Sequence, residues 1–304
     1  MDGVLVVDKP AGPTSHDVVE RVRQVLRVRR AGHTGTLDPF ATGVLPICVG
    51  KATRLARFLS EGDKAYRATV RLGFATTTDD LTGEPVGIRR AVDADEAVVR
   101  RACVALTGAL RQVPPAYSAK RVEGQRLYDL ARRGVAVERA AVPVTVHALD
   151  VVSVEGDHVV LDVRCSAGTY VRALARDLGE ALGAGAHLAA LRRTEAAGLG
   201  LAGAVAWGDL APAAAERVLP LDVLLPQFPA VVVGEEGAAA VRHGRDLDRR
   251  LVTHGFPVPP APARVRVLDA QGRLLALAVP RGFGPPVPGL PAVPDLHPDV
   301  VLAG

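Results

Sequence analysis

The segment Gly32-His33-Thr34-Gly35-Thr36-Leu37-Asp38-Pro39-Phe40-Ala41-Thr42-Gly43 holds three glycines and a proline, so no regular element can run through it. It leads straight into Val44-Leu45-Pro46, the start of an apolar, strand-like stretch. The loop must therefore sit at the edge of a core. Pro39 restricts Asp38 to extended backbone, and Gly35 and Gly43 let backbone approach a ligand closely. One carboxylate is thus held rigidly beside apolar surroundings. The segment is not a phosphate-cradling Walker loop, because the required Lys and Ser/Thr do not follow its second glycine. It also lacks the second acid two residues after Asp38 that an aspartyl-phosphate phosphatase would need. An isolated Asp-Pro most often caps a turn, so the surrounding chain has to decide what Asp38 does.

Gly3–Asp8 reads as a short buried strand followed by a Lys9–Pro13 turn. Thr14-x-x-Asp17 resembles a capping box, and Val18, Val19, Val22, Val25 and Leu26 recur at helical spacing, predicting an amphipathic helix over about residues 16–29. Lys64–Gly73 alternates like a strand, and Asp93–Leu106 predicts a helix with acids in its first turn. Leu127–Arg133 predicts a short helix closed by Gly134. Val144–Val154 and His158–Cys165 predict two strands joined at Glu155-Gly156-Asp157, and Arg172–Leu182 a helix stopped by Gly183. Composition shifts near Pro220–Pro229, which marks a domain boundary. Beyond it come a strand at Val231–Val233, a helical turn around Ala238–Arg242, and a hairpin pairing Arg264–Leu268 with Leu274–Val279. The Pro285–Pro298 stretch is proline-rich and expected to be disordered.

With 304 residues, 48% of them hydrophobic and 23% charged, the chain can bury a core in one large and one small domain. Its net charge of +4, carried almost wholly by arginine, permits nucleic-acid binding without demonstrating it. Cys48, Cys103 and Cys165 are widely spaced and odd in number, so neither a disulfide framework nor a metal knuckle is expected. Neither a signal peptide nor a membrane span is expected, because long apolar runs are missing. A cytoplasmic protein is the expectation.

The Gly32–Pro46 run resembles the catalytic signature of the TruB-type family, the tRNA pseudouridine-55 synthases, and further matches follow in order. Gly3–Pro10 is similar to the family's opening strand and turn. Lys64-Ala65-Tyr66-Arg67-Ala68 with Arg71-Leu72-Gly73 is similar to its second motif. Tyr117-Ser118-Ala119-Lys120 with Gly124-x-x-Leu127-Tyr128 resembles its RNA-gripping insertion. Cys165–Arg172 and Leu191-Arg192-Arg193-Thr194 resemble its last two motifs. Thr77 stands where the family often has an acid, while Asp80 keeps a second acidic position.

The resemblance implies an α+β fold, with a mixed, mainly antiparallel central sheet flanked by helices. A catalytic domain is expected over 1–225, with the insertion at about 112–142, a small β-rich PUA-like module over 229–283, and a tail over 284–304. It implies isomerisation of the T-loop uridine of transfer RNA to pseudouridine by base flipping, with no cofactor and no metal, by a monomer that also assists tRNA folding. Asp38 is implied as the catalytic carboxylate, Arg172 as the cation that keeps it ionised, and Tyr66 as a stacking platform that also takes part in proton transfer. His33 and Tyr170 are implied as substrate contacts, Leu191 as pocket lining, Lys9 and Pro10 as pocket floor, and Asp80 as a further substrate contact. Lys120, Arg126, Arg132 and Arg133 are candidates for phosphate contacts, and Val241–Arg245 for a basic RNA-facing turn. Breaking C1′–N1 and joining C1′–C5 involves no oxidation, and whether Asp38 acts as nucleophile or as base at the sugar stays open. Two other readings remain: a non-catalytic RNA-binding or RNA-folding protein, and a synthase for a ribosomal or guide-directed site.

Overall fold

The computed structural model describes residues 1–92, 94–117, 121–122, 125–126, 139–255, 262–283 and 294–303. Its frame is a ten-stranded sheet. Along its main path the order is Val205–Ala206, Gly3–Lys9, Thr42–Val49, Ala186–Ala196, Lys64–Leu72, His158–Cys165, Val142–Glu155 and Gly108–Gln112. Ala31–His33 adds to Thr42–Val49, and Leu199–Gly200 to Ala186–Ala196. Gly3–Lys9 runs parallel to Val205–Ala206, and Thr42–Val49 parallel to Ala186–Ala196; the remaining pairs are antiparallel. This is the mixed, mainly antiparallel α+β sheet that the sequence implied.

Gly3–Lys9 and Thr42–Val49 are buried almost throughout because both of their faces are covered. Leu5, Val7, Leu45, Ile47 and Val49 share one buried core with residues of the helices Ser15–Leu26, Glu96–Ala105 and Val171–Ala181. Val4, Val6, Val44 and Cys48 pack on the other side against Leu274, Leu277, Val300 and Leu302. The Thr14 capping box forms, and the first helix ends at Leu26, earlier than its apolar spacing suggests, because Arg27 turns left-handed at φ +52°. The predicted helix after Asp93 spans Glu96–Ala105 with Asp95 as its cap. The Val142–Glu155 and His158–Cys165 hairpin turns at Gly156, where φ is +59°.

A second sheet has the order Val252–His254, Ala230–Val233, Val265–Leu268, Leu274–Phe283 and Pro294–Val301, with the helix Glu235–Arg242 packed on it. The disorder expected of the tail is corrected for its described part, and 284–293 lie outside the described residues. Pro294–Val301 is an edge strand pairing from Phe283↔Pro294 to Ala276↔Val301. An edge strand tolerates proline because only one of its sides must supply donors, and burial of Leu296, Val300 and Leu302 holds it in place. The helix Ala56–Ser60 joins the two parts, with Phe58 edge-on to Phe228 at a ring-centroid distance of 6.2 Å. There Asp299 accepts from both Arg57 and Arg264 at 2.8 Å.

Much of the insertion, including the predicted Leu127–Arg133 helix, Lys120, Arg132 and Arg133, lies outside the described residues, as does the side chain of Arg126. Among the described residues no helix is long and apolar enough to cross a membrane.

Candidate active site

Three buried polar side chains fix the loop that carries Asp38. Ser15, at the start of the first helix, accepts from the Leu37 amide at 2.8 Å and donates to the Leu37 carbonyl at 2.9 Å. Lys9, fully buried at the end of the first strand, donates to the carbonyls of Ala41 at 2.7 Å, Pro10 at 2.9 Å and Pro39 at 3.2 Å. All three of its donors are engaged, and burial lowers its ammonium to about 8. Arg193 donates to the Val44 carbonyl at 2.6 Å and the Gly35 carbonyl at 3.1 Å. Gly43, at φ +102°, is required because a Cβ there would lie 2.1 Å from the Arg193 carbonyl oxygen.

Held this way, Asp38 stands half-buried with its Oδ2 3.1 Å from Nε of Arg172, itself buried on the Val171–Ala181 helix. The rest of that guanidinium is committed. Nη1 reaches Oδ2 of Asp80 at 3.2 Å and the Thr78 carbonyl at 3.3 Å, while Nη2 donates to the Tyr117 carbonyl at 2.8 Å. Burial raises the Asp38 carboxyl above its ordinary value; Arg172 opposes that and the nearby Asp80 adds to it. Asp38 and Arg172, 134 positions apart, are brought together as the sequence implied.

Tyr66 lies on the Lys64–Leu72 strand, directly opposite Arg193 of the Ala186–Ala196 strand. Its phenol is buried, which raises its pKa; the Arg193 guanidinium opposes that and the Asp38 charge adds to it. Leu191, opposite Ala68 and two residues before Arg193, shares that face and is buried in the core beside the site. His33 accepts a 3.3 Å hydrogen bond from the Gly35 amide, and burial next to Arg193 lowers its pKa, which favours the neutral ring. Tyr170 occupies the N-cap position of the helix carrying Arg172, where Gln112 accepts from its amide at 2.8 Å and donates to its carbonyl at 3.1 Å.

Asp80 and Lys9 are both engaged within the protein. Asp80 is buried with both oxygens taken: Oδ1 accepts from the Thr78 hydroxyl and from the Thr82 amide and hydroxyl, while Oδ2 faces Arg172. It is a partner of Arg172. Lys9 and the adjoining Pro10 carbonyl build the catalytic loop from behind, with no donor of Lys9 left for a ligand. Sequence reasoning missed Ser15, whose only signal is its place in the capping box, and Arg193, whose i, i+2 spacing from the apolar Leu191 already puts it on the buried face.

The candidate site thus draws a carboxylate from a loop, an arginine from a helix and a phenol from a central strand of a mixed sheet. The N-terminal domain profile of the TruB family pseudouridylate synthases matches residues 23–171, and the tRNA pseudouridylate synthase B C-terminal domain profile matches 172–226. A protein named tRNA pseudouridine synthase B from Thermobifida fusca is 47% identical, over 94% of this chain and 97% of that one. Its namesake from Burkholderia pseudomallei is 46% identical over 91% and 93%, and that from Solibacter usitatus 42% over 99% and 100%. The chain belongs to the TruB family of pseudouridylate synthases. Among solved structures, a chain of a Cbf5–Nop10–Gar1 complex superposes with a TM-score of 0.76 at 27% identity, covering 99% of this chain and 84% of that one. A chain of an H/ACA ribonucleoprotein bound to a substrate RNA containing 2′-deoxyuridine gives 0.76 at 25%, covering 99% and 85%.

Proposed function

We propose that the chain converts the T-loop uridine of transfer RNA to pseudouridine, as a cytoplasmic monomer. The observation that carries this is the Asp38–Arg172 pair, one half-exposed carboxylate against a buried, otherwise committed guanidinium. A stacked base cannot reach such a carboxylate, so the uridine is flipped out of its loop. Tyr66 gives the extruded uracil a ring to stack on, in an interaction worth about 1–3 kcal/mol, and Tyr170, Leu191 and the neutral His33 complete its surroundings. Asp38 assists cleavage of C1′–N1, and the freed base rejoins the sugar through C5, which gives up its proton while N1 gains one. Arg172 keeps the carboxylate ionised against the cost of burial. The monomer reading rests on one chain supplying every group of the site. Catalysis is assigned to 1–225. The module beginning at 229 is assigned to RNA binding, its exposed Arg242, His243 and Arg245 flanking Gly244 where the Glu235–Arg242 helix ends.

The test is to incubate the protein with unmodified transfer RNA, with no cofactor or guide RNA added, and to map pseudouridine by chemical-adduct sequencing. Product in the T loop is expected from the wild type. Asp38→Asn should bind transfer RNA within a few-fold of wild type and give no detectable product. Full activity in that variant would end the assignment of Asp38, and product appearing only with a guide RNA would favour the guide-directed reading.

A further inference from the structure

The Val171–Ala181 helix carries a second arginine whose contacts reach beyond the helix. Arg176 lies one turn after Arg172, so the two side chains are neighbours on one face. Its Nε and Nη2 are held by Oδ1 of Asp177 at 3.0 and 2.8 Å, with Glu180 farther off at 3.9 Å. An arginine that served only its own helix would stop there. Instead, Nη1 donates to Oδ2 of Asp79 at 3.1 Å, and Nη2 donates to the Val113 carbonyl at 3.1 Å. Both members of the Arg176–Asp79 pair are largely buried, unlike the screened surface pairs that contribute little.

The two segments that Arg176 holds are the ones Arg172 depends on. Thr78 and Asp80 flank Asp79, which turns left-handed at φ +59°, and both engage Nη1 of Arg172. Tyr117, a few residues after Val113, engages Nη2. Among the described residues, every hydrogen-bond or ion-pair partner of Arg172 apart from Asp38 therefore comes from a segment that Arg176 ties to the same helix. We propose that Arg176 is a positioning residue for Arg172, holding the Asp79 turn and the Val113–Tyr117 stretch in place so that Nε of Arg172 is left for Asp38. Its consequence for the reaction rests on the synthase reading of the site. A planar guanidinium fixed by Asp177 bridges two segments at set distances. Without it, the oxygens of Thr78, Asp80 and Tyr117 are no longer presented together, and Arg172 loses its fixed direction toward the half-exposed Asp38.

The full chain with nitrogen-labelled arginine tests this by NMR, the Nε–H signals of Arg172 and Arg193 being identified from Arg172→Lys and Arg193→Lys. In Arg176→Gln the Arg172 Nε–H is expected to exchange with solvent about tenfold faster than in the wild type, as a local opening would cause. The Nε–H of Arg193, bonded to the Val44 carbonyl on another element, should keep its rate. Asp79→Gly should act the same way, since glycine adopts that backbone without strain and only the carboxylate is lost. Single-turnover pseudouridine formation should fall about tenfold in both variants, with transfer-RNA affinity unchanged. Unchanged Arg172 exchange, or equal acceleration at Arg172 and Arg193, overturns the proposal. So does a wild-type rate in a variant whose Arg172 has loosened. Should Arg176→Gln fail to fold, Asp79→Gly decides by the same readings. If Arg172 alone loosens but the wild type forms no pseudouridine, the functional reading fails while the positioning role stands.

Discussion

At the scale of single residues, the site places two carboxylates on one guanidinium. Asp38 holds its proton more tightly in the folded protein than the unfolded chain does, because burial disfavours its charge. Folded protein then binds more protons than unfolded protein, so this group's contribution to stability declines as pH rises from 3.8 through the raised folded value. Above that value the ionised carboxylate weakens the fold. Asp38→Asn is therefore expected to melt about 2–4 °C higher than wild type at neutral pH, even as the reaction is lost. A lower melting temperature measured by calorimetry would show that Arg172 more than offsets the burial. Asp80→Asn removes the second negative partner of the buried Arg172. A hydrogen bond to a charged group contributes about 1.5–3 kcal/mol, so the single-turnover rate should fall roughly ten- to a hundredfold, with transfer-RNA affinity little changed. An unaltered rate would restrict Asp80 to holding its own loop.

At the scale of elements, the catalytic loop is set by side chains projecting from the elements around it. Ser15 ties the loop to the first helix through two hydrogen bonds with Leu37. Ser15→Ala should cost about 1–3 kcal/mol of stability and also slow the reaction, since Leu37 adjoins Asp38. Thr14→Ala, one residue earlier, removes the helix cap and should cost about 1 kcal/mol with the rate intact. Denaturant midpoints with single-turnover kinetics test the contrast, and equal rates in the two variants would mean the Ser15 tether does not serve catalysis. Strand prediction worked where burial alternates simply, as in Lys64–Leu72 and the Val142–Cys165 hairpin. The Ala186–Ala196 strand went unrecognised as a strand because charged Arg192, Arg193 and Glu195 interrupt its apolar pattern. Its place at the centre of the sheet is set by pairing to distant strands on both sides.

At the scale of the whole molecule, the second sheet completes the core on the far face of the first. A chain ending at Pro229 would remove Leu274, Leu277, Val300 and Leu302 from the cluster that holds Leu55, Phe58 and Leu59, and it is expected to aggregate or unfold at temperatures the full chain survives. A soluble, cooperatively melting fragment in light scattering and calorimetry would show that this shared core is dispensable. The +4 net charge sets the second expectation at this scale. Transfer-RNA binding should weaken linearly on a log–log plot as salt rises, because each phosphate contact releases counterions. A flat response would count against an RNA substrate.

The sequence by itself determined many of the local elements and the family. Capping, turn residues and alternation are written in neighbouring positions, and the ordered motifs around Asp38, Tyr66 and Arg172 carry the resemblance. Tertiary structure alone decided what those groups touch. Lys9 was found to brace the loop from behind, Asp80 to serve Arg172, Arg193 to pair across from Tyr66, and Pro294–Val301 of the tail to form a strand. Each depends on a partner far away along the chain, and burial redirects a charged side chain from solvent to whichever carbonyl, carboxylate or phenol the fold brings within reach.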